Sequence, residues 1–106
     1  IERKTSDGVT FALERPAQPI TLRDYQFVVT LTDAAGAPVE ATSVYMDFTM
    51  PQMIMGVNQP IADRIGPGRY GVRTIYSMEG DWRITIVASI NGREVRANFD
   101  HPVSLP

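Results

Sequence analysis

From Trp82 to Ile90 every second residue is apolar: Trp82, Ile84, Ile86, Ala88 and Ile90 alternate with Arg83, Thr85, Val87 and Ser89. Side chains on a β-strand point alternately to its two faces, so this run predicts one buried face and one largely solvated face. Asn91-Gly92 follows, the dipeptide best suited to the two left-handed residues of a type I′ hairpin turn. Arg93 to Asp100 then returns with Val95, Ala97 and Phe99 in phase. A chain ending in such a hairpin is committed to antiparallel pairing, and its remaining segments must supply the partners.

They do so in the same idiom. Val9 to Glu14 alternates through Val9, Phe11 and Leu13, and Tyr25 to Thr32 through Tyr25, Phe27, Val29 and Leu31. Ser43 to Met50 places Val44, Met46, Phe48 and Met50 on one face, and Pro51, which has no backbone donor, ends it. Val57 to Ile65 predicts a short strand kinked at Pro60, and Arg69 to Tyr76 a strand with Tyr70 and Val72 inward. Gly66-Pro67-Gly68 reads as a turn, and residues 1–8 as a polar lead-in. About seven short strands with no helical stripe predict an all-β chain, an immunoglobulin-like antiparallel β-sandwich with Trp82 in its core. At 106 residues the length fits a single domain, 1–106.

Composition then removes most kinds of chemistry. There is no cysteine and one histidine, His101, which excludes thiolate sites, cysteine nucleophiles and a multi-histidine centre within one chain. A net charge of −2 argues against nucleic-acid binding. Asp47, Asp63, Glu79 and Asp81 are scattered acids, and Gly66-Pro67-Gly68 lacks the strand-to-helix context of a phosphate loop, so an enzyme is not expected. No run reaches the roughly 18 apolar residues of a membrane-spanning helix. The chain opens at Ile1 rather than at methionine. That fits a trimmed chain or a processed protein, either of which allows for an upstream export signal or membrane anchor. Nothing in the pattern specifies an oligomer.

What remains is methionine. Of five, four lie between Met46 and Met55, and Met50, Met53 and Met55 fall within six residues. A thioether is a soft donor suited to Cu(I), neutral at every relevant pH and immune to disulfide formation. An irregular loop lets three such sulfurs converge. Met78 adds a fourth if its turn shares that end of the sandwich. Methionine also fills irregular apolar gaps. Met46 is in phase with Val44 and Phe48 and is expected in the core, Met50 can face either way, and Met53 and Met55 suit a core or interface as well as a metal. His101 is expected as an exposed imidazole, with metal ligation, within or between chains, as the alternative.

Three ordered motifs then carry a resemblance. Met50-Pro51-Gln52-Met53-Ile54-Met55-Gly56, Gly66-Pro67-Gly68-Arg69-Tyr70, and Met78-Glu79-Gly80-Asp81-Trp82 resemble the YtkA-like domain family over roughly residues 20–100. The same pattern is similar to the periplasmic part of FixH/CcoH-type proteins. The resemblance implies an exported bacterial β-sandwich, often membrane-anchored, acting in the periplasm or on the outer face of the membrane. It implies copper handling and the assembly of copper-containing oxidases, with Met50, Met53, Met55 and Met78 as copper ligands. Some relatives carry histidine in this loop where this chain has Ile54 and Met55, a departure that favours Cu(I) over Cu(II).

The expectation is therefore a non-enzymatic, extracytoplasmic copper-binding or copper-delivery domain. Met50, Met53 and Met55 would hold one Cu(I), with Met78 or His101 completing the shell. The alternative is a metal-free interaction module whose methionine-rich surface docks on a membrane partner, such as an oxidase subunit or a transporter.

Overall fold

The computed structural model describes residues 1–53 and 56–106. Within them are eight strands and no helix: β1 (Glu2–Ser6), β2 (Val9–Glu14), β3 (Tyr25–Thr32), β4 (Ser43–Thr49), β5 (Asp63–Gly66), β6 (Arg69–Thr74), β7 (Gly80–Ile90) and β8 (Arg93–Val103). They form two antiparallel sheets, ordered β1-β2-β3-β6-β5 and β4-β7-β8. The predicted β-sandwich is what the chain adopts. Its core is the alternating inner faces: Phe11 and Leu13, Phe27, Val29 and Leu31, and Tyr70 and Val72 from one sheet meet Val44, Met46 and Phe48, Trp82, Ile84 and Ile86, and Val95 and Phe99 from the other. The C-terminal hairpin turns at Asn91 and Gly92, both at positive φ as a type I′ turn requires.

Two expectations are corrected. Residues 1–8 are not a lead-in. Glu2–Ser6 pairs with β2 as an edge strand, and the chain reverses through Asp7 (φ 49°) and Gly8 (φ 77°). Its polarity misleads because an edge strand exposed on both faces shows no apolar alternation, and charges such as Arg3 and Lys4 guard such an edge against aggregation. The segment Val57 to Ile65 is also not one kinked strand: only Asp63–Gly66 joins the sheet. Residues 58–62 run beside β4 without regular pairing. Phe48, Met46 and Ala62 N–H donate to the carbonyls of Asn58 (2.9 Å), Pro60 (3.1 Å) and Val44 (2.8 Å). Pro60 has no N–H to return, so the ladder there is incomplete, yet β4's outer edge is covered.

Antiparallel order decides what meets at one end of the sandwich. The start of β7 lies beside the end of β8, Gly80 opposite Val103, and the end of β4 reaches Arg83. The end of β6 lies beside the start of β3, Thr74 opposite Tyr25. The methionine loop after β4, the turn between β6 and β7 and the C-terminal segment therefore share this end.

Candidate metal centre

The loop begins where Pro51 stops β4. Met53 N–H donates to the Met50 carbonyl at 3.0 Å, closing a β-turn over Pro51-Gln52 with proline at its preferred second position. The turn separates two methionines the sequence grouped together. Met50 keeps the inward phase of β4 and is 6% exposed, while Met53 is carried to the surface at 50%. The ε-methyl of Met50 occupies the space a Cβ at residue 80 would need, so a side chain there would have to displace it, and Gly80 adopts a φ of 137° that side chains disfavour.

The second loop is fixed by the tryptophan. Trp82 is buried, and its Nε1–H donates to the Met78 carbonyl at 3.0 Å. The backbone of the turn is thus clamped over the indole, and the Met78 side chain stays 38% exposed. Met53 and Met78 line one open groove of about 560 Å³ with Trp82 as part of its wall. Val57 and Ile75 supply further apolar lining, and Asn58 Nδ2 donates to Thr74 Oγ1 at 3.4 Å across it. Met50 and His101 are not among the described residues that line it.

His101 corrects the expectation of an exposed imidazole. It is 4% exposed, directly opposite Trp82 on the neighbouring strand. Its inward phase continues that of Val95, Ala97 and Phe99, a pattern extending past the point where Pro102 suggests the strand should stop. Nε2 shares a short hydrogen bond with the Tyr76 hydroxyl, and Nδ1 has no partner among the described residues. Burial, reinforced by the positive charge of Arg15, pushes the His101 pKa down to about 4, and burial raises that of Tyr76. The imidazole is therefore neutral at neutral pH. Tyr76 is the hub of this end: its ring meets Trp82 at 5.1 Å, His101 at 5.5 Å, Phe27 at 5.8 Å and Phe48 at 6.2 Å between centroids.

Of the five residues predicted as ligands, then, the fold brings Met53 and Met78 to one groove. It buries Met50 against Gly80 at the start of β7 and locks His101 to Tyr76, and Met55 lies outside the described residues. Among the described residues no group of three or more His, Asp or Glu is placed to hold a metal. Two roles escaped the sequence. Trp82 was expected only as core, yet it also walls the groove, and the hub role of Tyr76 was signalled only by its phase with Tyr70 and Val72.

The family profile described as YtkA-like matches residues 3–87. The chain belongs to the YtkA-like family. The match covers β1 through most of β7, including all four loop methionines and Trp82, and stops before His101. Among solved structures, this YtkA-like chain is similar to the PKD domain of an M14-like peptidase from Thermoplasmatales archaeon SCGC AB-540-F20, with a TM-score of 0.52, 12% identity and 99% of each chain covered. It is also similar to an engineered protein with a TM-score of 0.57 and 11% identity, covering 91% of this chain and 20% of that one. The chain thus spans about a fifth of that engineered protein, and at such identities both likenesses concern the fold alone. No curated protein matches the sequence.

Proposed function

We propose that this YtkA-like domain is a non-enzymatic, extracytoplasmic copper-binding and copper-delivery module that holds Cu(I) as cargo through Met53 and Met78. The observation that carries the reading is the presence of these two methionines, from separate loops, on one groove beside Trp82. Both backbones are held, by the Met53-to-Met50 and Trp82-to-Met78 hydrogen bonds, while both side chains remain open to solvent. Thioethers bind Cu(I) without releasing protons and exchange readily, so a partner's sulfur or imidazole can displace them one at a time. Met55, three residues before Asn58 in the sequence, is the natural further donor. A place outside the cytoplasm, kinship to FixH-type proteins and delivery to a membrane oxidase belong to this proposal.

Anaerobic titration with Cu(I) against a competing chelator tests it, read through Trp82, the only tryptophan. The expected result is stoichiometric binding that alters Trp82 emission and weakens strongly in the Met53→Leu/Met78→Leu variant. Equal retention of copper by wild type and variant would overturn it.

A second reading is favoured by a separate observation: Val57, 84% exposed, and Ile75 stand beside Met53 and Met78 on the same groove. Such a surface suits a metal-free module that docks on an apolar partner, for instance a membrane oxidase subunit or transporter. Leucine in place of both methionines keeps apolar volume, so this reading expects partner binding to survive the variant that loses copper.

A further inference from the structure

With no cysteine, methionine thioethers are the only oxidisable sulfur in this chain. The fold divides them sharply. Met46 is fully buried and Met50 nearly so, whereas Met53 and Met78 are open to solvent on one groove. We propose that Met53 and Met78 form a paired, reversible oxidation site, at which a peroxide converts both thioethers to sulfoxides and switches the groove from apolar and soft-donating to polar. In each step the sulfur lone pair attacks one peroxide oxygen. The O–O bond breaks, an S–O bond forms, the sulfur gives up two electrons, and with hydrogen peroxide the second oxygen leaves as water.

The structure makes this a switch rather than damage. Met46 and Met50 sit among core side chains, and a sulfoxide dipole there would lack a partner and disrupt packing. The fold shields them. At the groove these hydrogen bonds engage the two methionines through their backbone: Trp82 Nε1–H donates to the Met78 carbonyl, and Met53 N–H donates to the Met50 carbonyl. Oxidation of Met53 and Met78 leaves both in place and changes the groove lining beside Trp82. Its consequence for cargo rests on the copper reading, because a sulfoxide sulfur is no longer a thioether donor.

The test treats the full, metal-free chain with hydrogen peroxide and follows each methionine by fragment-ion mass spectrometry. Met53 and Met78 should react at least about fivefold faster than Met46 and Met50, since susceptibility follows exposure. The oxidised chain should keep its near-ultraviolet circular dichroism and shift its Trp82 emission. Methionine sulfoxide reductases should reverse the shift, and Met53→Leu/Met78→Leu should abolish it. A smaller rate ratio, an unchanged emission, an irreversible change or a shift that persists in the double variant overturns the inference. Repeating the oxidation with Ag(I), a redox-inert soft cation, separates the two ideas. Protection of both residues supports the copper reading and its coupling to oxidation. Selective oxidation without protection sinks the copper reading and leaves the oxidation site standing.

Discussion

The indole N–H of Trp82 donates to the carbonyl oxygen of Met78 at 3.0 Å, so the residue that fills the core also holds the turn that presents a groove thioether. Trp82→Phe keeps a ring in the core but leaves that carbonyl without its donor. Losing a neutral hydrogen bond costs roughly 1 kcal/mol, and the smaller ring adds a cavity term, so a total of ~2–3 kcal/mol is expected. Urea denaturation followed by circular dichroism measures it. A variant as stable as wild type would show that the clamp contributes nothing.

Soft-cation binding should follow position, not the number of methionines. Met53→Leu and Met78→Leu are each expected to weaken Ag(I) or Cu(I) affinity by about tenfold or more, equivalent to ~1.4 kcal/mol. Met46→Leu, deep in the core, should leave affinity unchanged because its sulfur reaches no groove. Competition titration of the three variants gives the comparison.

Acid should destabilise this fold through His101. Burial holds the folded imidazole at about 4, against an ordinary value of 6.5. Between those values the unfolded chain takes up a proton that the folded chain refuses, so stability rises with pH across the window and falls as pH drops. The loss attributable to this residue should amount to at most ~3 kcal/mol. Chemical denaturation at steps from about pH 7 to pH 4 measures the slope. It should flatten in Tyr76→Phe/His101→Phe, where both partners of the buried hydrogen bond are replaced together.

Two glycines with similar backbone angles should respond differently to alanine. Gly68 (φ 67°) would place its Cβ 2.8 Å from the Leu31 carbonyl oxygen and 2.9 Å from Pro38 Cβ, while Gly92 (φ 79°) faces open space. Gly92→Ala should cost ~1 kcal/mol from backbone strain alone. Gly68→Ala adds collision with backbone and a proline, so its cost should exceed that of Gly92→Ala by at least ~1–2 kcal/mol. Thermal melts of the two variants decide it, and equal midpoints would contradict the packing around Gly68.

Gly80→Ala probes the methionine end. The Met50 methyl is the far end of a flexible chain and can move, but φ 137° remains strained for alanine, so a cost of ~1–3 kcal/mol is expected. Met50→Leu should not restore stability, because the strain lies in the backbone. Recovery of the lost stability in the double variant would place the cost in side-chain overlap instead.

Legibility followed periodicity. β2 and β3 begin and end at the residues the alternation predicts, and β4, β6 and β7 differ only at their termini. Their buried faces carry apolar side chains at every second place, and burial requires that pattern. β1 was hidden because an edge strand needs no apolar face. The 57–65 segment carries apolar residues like a strand, but Pro60 leaves it beside β4 without letting it become one. The burial of His101 is written in its phase, two residues beyond Phe99, but its polarity points the other way.

The sequence by itself determined that these residues form an antiparallel sandwich, and that any soft-metal binding would have to rest on methionine, because cysteine is absent and histidine appears once. Only the tertiary structure decided which methionines share a groove. Met50 and Met53 are three residues apart, but one β-turn sends the first into the core and the second to the surface. Met53 and Met78 are 25 residues apart, but strand order brings their loops to the same end. Period-two burial is written locally in the chain, whereas convergence across a groove depends on which loops the antiparallel sheets bring side by side.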